Sequence, residues 1–125
     1  MITHPSKKTL VIGASLNPSR YSNICINDLV YYGFPVVAIG LREGQVAGVD
    51  IQKGKPQLED IHTVTMYLGP QNQADYEDYI INSVKPKRII FNPGTYNESL
   101  ADKAQRADII TETKCTLLML SGGYF

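Results

Sequence analysis

The segment Gly13-Ala14-Ser15-Leu16-Asn17-Pro18-Ser19-Arg20-Tyr21-Ser22 holds the residue types best suited to gripping a phosphate. It follows the apolar run Thr9-Leu10-Val11-Ile12 and precedes a stretch with helical spacing, so it reads as a strand-to-helix loop. A helix start offers free backbone N–H groups and about half a positive charge. Gly13 lets a ligand approach the chain, Ser15 and Ser22 bring hydroxyls, and Arg20 can fork onto phosphate oxygens. Asn17-Pro18 breaks the chain, and Tyr21 is placed to stack on a base or ribose. The same types also serve a plain turn, so on this segment alone both readings stand.

Two better-known phosphate motifs are absent. G-x-G-x-x-G needs three glycines, and here Ser15 falls where the second would be; G-x-x-x-x-G-K-[ST] has no match either. The acid that ends the second strand of an NAD site is replaced by Ile39-Gly40-Leu41-Arg42. A cation there suits a ligand with an extra ribose phosphate, as in NADP or coenzyme A (CoA), or is simply an exposed loop arginine. Leu68-Gly69-Pro70 admits a thin, flexible chain such as pantetheine, or makes a tight turn. Asn92-Pro93-Gly94-Thr95 brings an amide and a glycine to a further strand end, to line a pocket or to cap a helix through Thr95.

Nothing assembles into acid–base, nucleophilic or metal chemistry. His4 falls in the N-terminal stretch, and His62 precedes a core strand at the end away from the loops above. No triad and no metal-ligand spacing is present, so no catalytic and no metal residue is assigned. Cys25 and Cys115 read as two buried thiols of a reduced compartment, and Asp75 and Glu77 as a solvated helix surface.

These loops need elements to hold them. Buried strands are expected at 9–13, 36–39, 64–68, 88–92 and 109–111, with another short strand at 46–51. Helices are expected at 22–32, capped by Ser22 or Asn23 and stopped at Gly33, and at 70–86. A third follows the capping-box pattern Thr95-x-x-Glu98, and a last begins near Cys115. Strands alternating with helices give an α/β fold of Rossmann-like type, a single doubly wound, mainly parallel sheet of about five strands with helices on both faces. The usual order sets the first strand between the second and the 64–68 strand. Ligands of such sheets bind at that switch point, beyond the C-terminal strand ends.

The chain has 125 residues and 13.9 kDa, which fits one domain over 1–125 with a tail at 1–8. Twelve Lys and Arg balance twelve Asp and Glu, which argues against nucleic acid or an anionic membrane as partner. No apolar run suits a membrane span or signal peptide, so a cytoplasmic protein is expected.

Taken together, Gly13-Ala14-Ser15-x-Asn17-Pro18-x-Arg20-Tyr21-Ser22, Phe91-Asn92-Pro93-Gly94-Thr95 and Cys115-Thr116-Leu117-Leu118-Met119-Leu120 resemble the small stand-alone CoA-binding proteins. These are similar to the CoA-binding Rossmann-type domain of the succinyl-CoA synthetase α subunit. The resemblance spans about Thr9 to Gly123 and implies CoA or an acyl-CoA as ligand. By it, the Gly13–Ser22 loop would hold the phosphates and Ile39, Gly40 and Arg42 the adenosine part. Leu68, Gly69 and Pro70 would border the pantetheine. Many relatives carry Val-Asn-Pro followed by Lys where this chain has Ile39-Gly40-Leu41-Arg42. The synthetase's phosphorylated histidine belongs to a domain this chain lacks, so a non-catalytic binding role is the reading. The rivals are an NADP-dependent enzyme with Arg42 on the 2′-phosphate, and an interaction protein with a vestigial pocket, a homodimer or the ally of another protein.

Overall fold

The computed structural model describes residues 2–125. The 9–13 run forms strand β1 (Thr9–Ala14). Its alternation sends Leu10 and Ile12 to one face of the sheet and Val11 to the other, and a register irregularity between Ile12 and Ala14 turns Ala14 to the Val11 face as well; each set joins a separate apolar core. Such two-sided burial is what a parallel central strand requires. Helix α1 (Tyr21–Tyr31) buries Cys25, Ile26 and Leu29 on the second face. Strands β2 (Val36–Gly40), β3 (Gly44–Val46), β4 (Val49–Gln52) and β5 (Thr63–Met66) follow.

The stretch expected as one helix at 70–86 comes in three pieces: a 3-10 turn (Pro70–Asn72), helix α2 (Ala74–Asp78) and a wider π-type continuation (Tyr79–Val84). Lys85, at φ 50°, ends it in the left-handed region. Then come β6 (Arg88–Phe91), α3 (Glu98–Arg106), β7 (Ile110–Thr113) and α4 (Thr116–Gly122).

One sheet of seven strands results, in the order β3-β4-β2-β1-β5-β6-β7. All pairings are parallel except β3 with β4. Tyr79, Ile80, Leu100 and Ala104 cover one face from the 74–84 segment and α3, while α1 and α4 cover the other. The expected α/β, doubly wound, Rossmann-like architecture is therefore present, with β1 between β2 and β5 as foreseen.

Several local expectations are corrected. The sheet has seven strands rather than about five, because the single strand foreseen at 46–51 is a hairpin turning through Ala47-Gly48. Thr95 does not cap α3. Asn97 does, its Oδ1 accepting from the Ser99 and Leu100 N–H groups at 3.1 and 3.5 Å. Thr95 instead donates its hydroxyl to the Asn92 carbonyl. Neither Ser22 nor Asn23 caps α1; Arg20 stands at that position in extended backbone. Glu77 is not solvated but buried, accepting from Lys103, Ser99 and Asn97 at 2.9, 2.9 and 3.0 Å. Burial raises its pKa, and these three donors more than reverse that, leaving it below the usual carboxylate range. Of the expected tail 1–8, Met1 lies outside the described residues. His4 N–H donates to the Gly33 carbonyl and its ring stacks on Phe34, 4.3 Å between centroids.

Candidate functional site

Where β1 leaves the sheet toward α1 and β5 toward α2, the connections part to opposite faces and open a cavity of about 1230 Å³. That volume is ample for an elongated small molecule. A smaller hollow of about 530 Å³, around Lys85–Lys87 and Ile109, lies at the opposite, N-terminal ends of β6 and β7.

The β1–α1 loop contributes the wall from Gly13 through Leu16 and from Arg20 through Ser22. Its shape is set internally. Ser15 Oγ accepts the Asn17 N–H at 3.1 Å, and Asn17 Oδ1 accepts both the Ser19 N–H and the Ser19 hydroxyl. Asn23 donates its side-chain amide to the Ser15 carbonyl at 2.9 Å, tying the loop to α1. Because no side chain caps α1, the first-turn N–H groups of Tyr21 and Ser22 are left for an outside acceptor. Arg20 at that turn is exposed, so an anion there meets both a helix start and a guanidinium.

Gly13 has φ +93°, and a Cβ on it would stand 2.9 Å from the backbone carbon of Tyr67. At Gly40 a Cβ would stand 2.3 Å from the Ala14 carbonyl oxygen. The chain's own packing at the β1–β5 and β1–β2 seams therefore demands glycine at both places. Ile39, Gly40 and Arg42 line the cavity beside the loop, and Leu68 continues the wall above β5.

Asn92 and Pro93 line the far part, but the Asn92 amide is largely spent within the protein. It donates to Thr65 Oγ1 at 2.7 Å and the Met66 carbonyl at 2.9 Å, and its oxygen accepts the Thr116 N–H at 2.9 Å. This buried clip fixes the start of α4 against β5. Four residues expected at the site lie outside the wall: Asn17, Gly69, Pro70 and Gly94. Gly69 and Pro70 lead into the 3-10 turn, and Gly94 supplies a left-handed turn with φ +84°.

The structure also brings in residues that sequence reasoning had not placed there. Asp75 and Tyr76 come from α2, Cys115, Leu117 and Leu118 from the start of α4, and Tyr67 from just past the end of β5. The available signal was positional, since both segments follow strands whose C-terminal ends face the switch point. Tyr67 has a buried hydroxyl with no hydrogen-bond partner of good geometry, although the Cys25 thiol is close. Burial, reinforced by that thiol, raises the Tyr67 pKa well above the ordinary phenol. Burial likewise pushes the Cys25 thiol up to about 12, so it stays protonated at neutral pH. The histidines lie elsewhere. His62 Nδ1 is 2.7 Å from the Thr63 hydroxyl, and its pKa is lowered by burial and by Arg88, Lys7 and Lys87.

Fold and cavity define a class: a Rossmann-like α/β domain with an open cavity at its switch point, the place where sheets of this kind take ligands. Within that class, residues 7–121 match the family described as "CoA binding domain", and the chain belongs to it. A crystal structure of an uncharacterized protein is similar at 42% identity and TM-score 0.91, covering 95% of this chain and 98% of that one. A hypothetical protein from Pyrococcus horikoshii OT3 is 27% identical with TM-score 0.78, covering 89% and 79% of the two chains. A protein redesigned for binding shares the fold, with TM-score 0.81 at 23% identity over 94% of this chain and 83% of that one. No curated protein matches the chain.

No helix among the described residues is long and apolar enough to cross a membrane. Nor do they hold a group of three or more His, Cys, Asp or Glu that could bind a metal.

Proposed function

We infer that the switch-point cavity binds CoA or an acyl-CoA and holds it without transforming it. The observation that carries this reading is one juxtaposition. The uncapped start of α1, Arg20 and Arg42 share one cavity wall, in a chain of the CoA binding domain family. Phosphates belong at the helix start, where N–H groups and the helix dipole favour negative charge. Arg42 then answers an additional phosphate on the ribose, and exposed Leu41 offers an apolar surface to the base. Pantetheine continues along Leu68 toward Asn92 and α4.

Arg42 alone suits the 2′-phosphate of NADP as well as the 3′-phosphate of CoA, so the test compares the two. Melting curves are recorded with CoA, acetyl-CoA and NADPH at millimolar concentration. A ligand present at about a hundred times its Kd adds roughly 2.7 kcal/mol to the folded state. We expect CoA or acetyl-CoA to raise the Tm by several degrees and NADPH to do markedly less. A larger shift with NADPH favours the nucleotide-dependent enzyme. No shift with any of the three leaves a vestigial pocket as the better account.

A further inference from the structure

Charge is distributed unevenly around the cavity. Its charged lining side chains among the described residues are Arg20, Arg42 and Asp75. Arg42 follows β2, Arg20 leads from β1 into α1, and Asp75 sits in the first turn of α2 beyond β5. Since the strand order runs β2-β1-β5, the cations stand on one side and the carboxylate on the other, about two strand spacings or ~10 Å from the β2 end. Asp75 is exposed and takes no part in the salt bridges of the described residues. Lys55 holds its ammonium over the Tyr76 ring, 5.8 Å from the centroid, but does not line the cavity. Opposite Asp75, from the other face of the sheet, α4 presents Leu117 and Leu118.

The role of Asp75 depends on CoA being bound as proposed above. If the phosphates occupy the arginine side, the arm must run away from them. An arm comparable to about four residues of extended chain reaches on the order of 14 Å, enough to pass β5. Whatever the thiol carries then enters a chamber with leucines on one wall and an unpaired carboxylate on the other. A methyl or a short alkyl end meets no penalty there. A terminal carboxylate meets like charge there, a repulsion that acts at low salt and is screened as salt is added.

We propose that Asp75 sets the acyl selectivity of this site, admitting free CoA or CoA with an uncharged acyl group and disfavouring acyl groups that end in a carboxylate. A merely structural role for Asp75, complementing the dipole at the start of α2, changes stability but leaves ligand preference untouched.

Butyryl-CoA and succinyl-CoA test this directly, because they are nearly matched in length and differ in a terminal methyl against a terminal carboxylate. Their affinities are measured by calorimetry at low salt for the unaltered protein, Asp75→Asn and Asp75→Lys. The unaltered protein should bind butyryl-CoA roughly threefold to tenfold more tightly, and the ratio should shrink in 0.5 M salt. Asp75→Asn should bring the ratio close to one, and Asp75→Lys should invert it. Equal affinities in the unaltered protein, or a preference that persists unchanged in Asp75→Asn, overturn the proposal while CoA binding stands. If CoA itself does not bind, the CoA reading fails and takes this inference with it.

Discussion

Gly13 shows how one position can be legible for one reason and needed for another. Its place at the end of β1 marked the loop correctly, yet the contact that excludes a side chain is with the backbone of Tyr67 and Leu68. Gly13→Ala should therefore destabilise the protein by about 2 kcal/mol or more, from left-handed strain plus a clash with main chain. Gly94→Ala, also at positive φ but with open space around it, should cost only about 1 kcal/mol. Chemical denaturation checks both, and equal losses would show that the Tyr67 contact does not matter. The roles of Glu77 and Asn92 were hidden for a related reason. A carboxylate among helix-forming residues reads as surface until a partner helix brings Lys103, Ser99 and Asn97 to it. An amide at a strand end reads as free for a ligand until α4 and β5 claim its hydrogen bonds.

Alternation of apolar strands with helical stretches was enough to place β1, β2, β5 and β6, because each is buried on both faces and short. The β3–β4 hairpin was less visible. Its turn is Ala47-Gly48, at φ 51° and 80°, a geometry that normally advertises itself with Asn-Gly or Asp-Gly. Alanine in that position is strained, and Ala47→Asn should stabilise the protein by about 0.5–1 kcal/mol, or roughly 2–4 °C in Tm. Scanning calorimetry decides; an unchanged or lower Tm would mean the hairpin is not held in this turn. The break of the 70–84 segment into 3-10, α and π pieces was equally hidden. Pro70 and Pro86 set its limits, while the widened turn ending at Lys85 reflects packing of Tyr79, Ile80 and Val84 on the sheet.

At the scale of the molecule, the fold makes its cavity by topology rather than by a contiguous motif. Residues from Gly13 to Leu118 meet because the connections diverge on either side of β1 and β5. The loop glycines and Asn92 serve chiefly to hold the walls, and in the proposed reading the uncapped helix start and the two arginines are the groups that hold the ligand's phosphates. The claim that this site binds CoA through those groups is tested most directly by titrating CoA into the unaltered protein and into Arg20→Ala by calorimetry. A charge-assisted hydrogen bond is worth about 1.5–3 kcal/mol, so the substitution should weaken binding by roughly ten- to a hundredfold. Saturable one-to-one binding that falls by that factor in Arg20→Ala is the predicted result. No saturable binding at millimolar CoA, or the same affinity in both proteins, would contradict it.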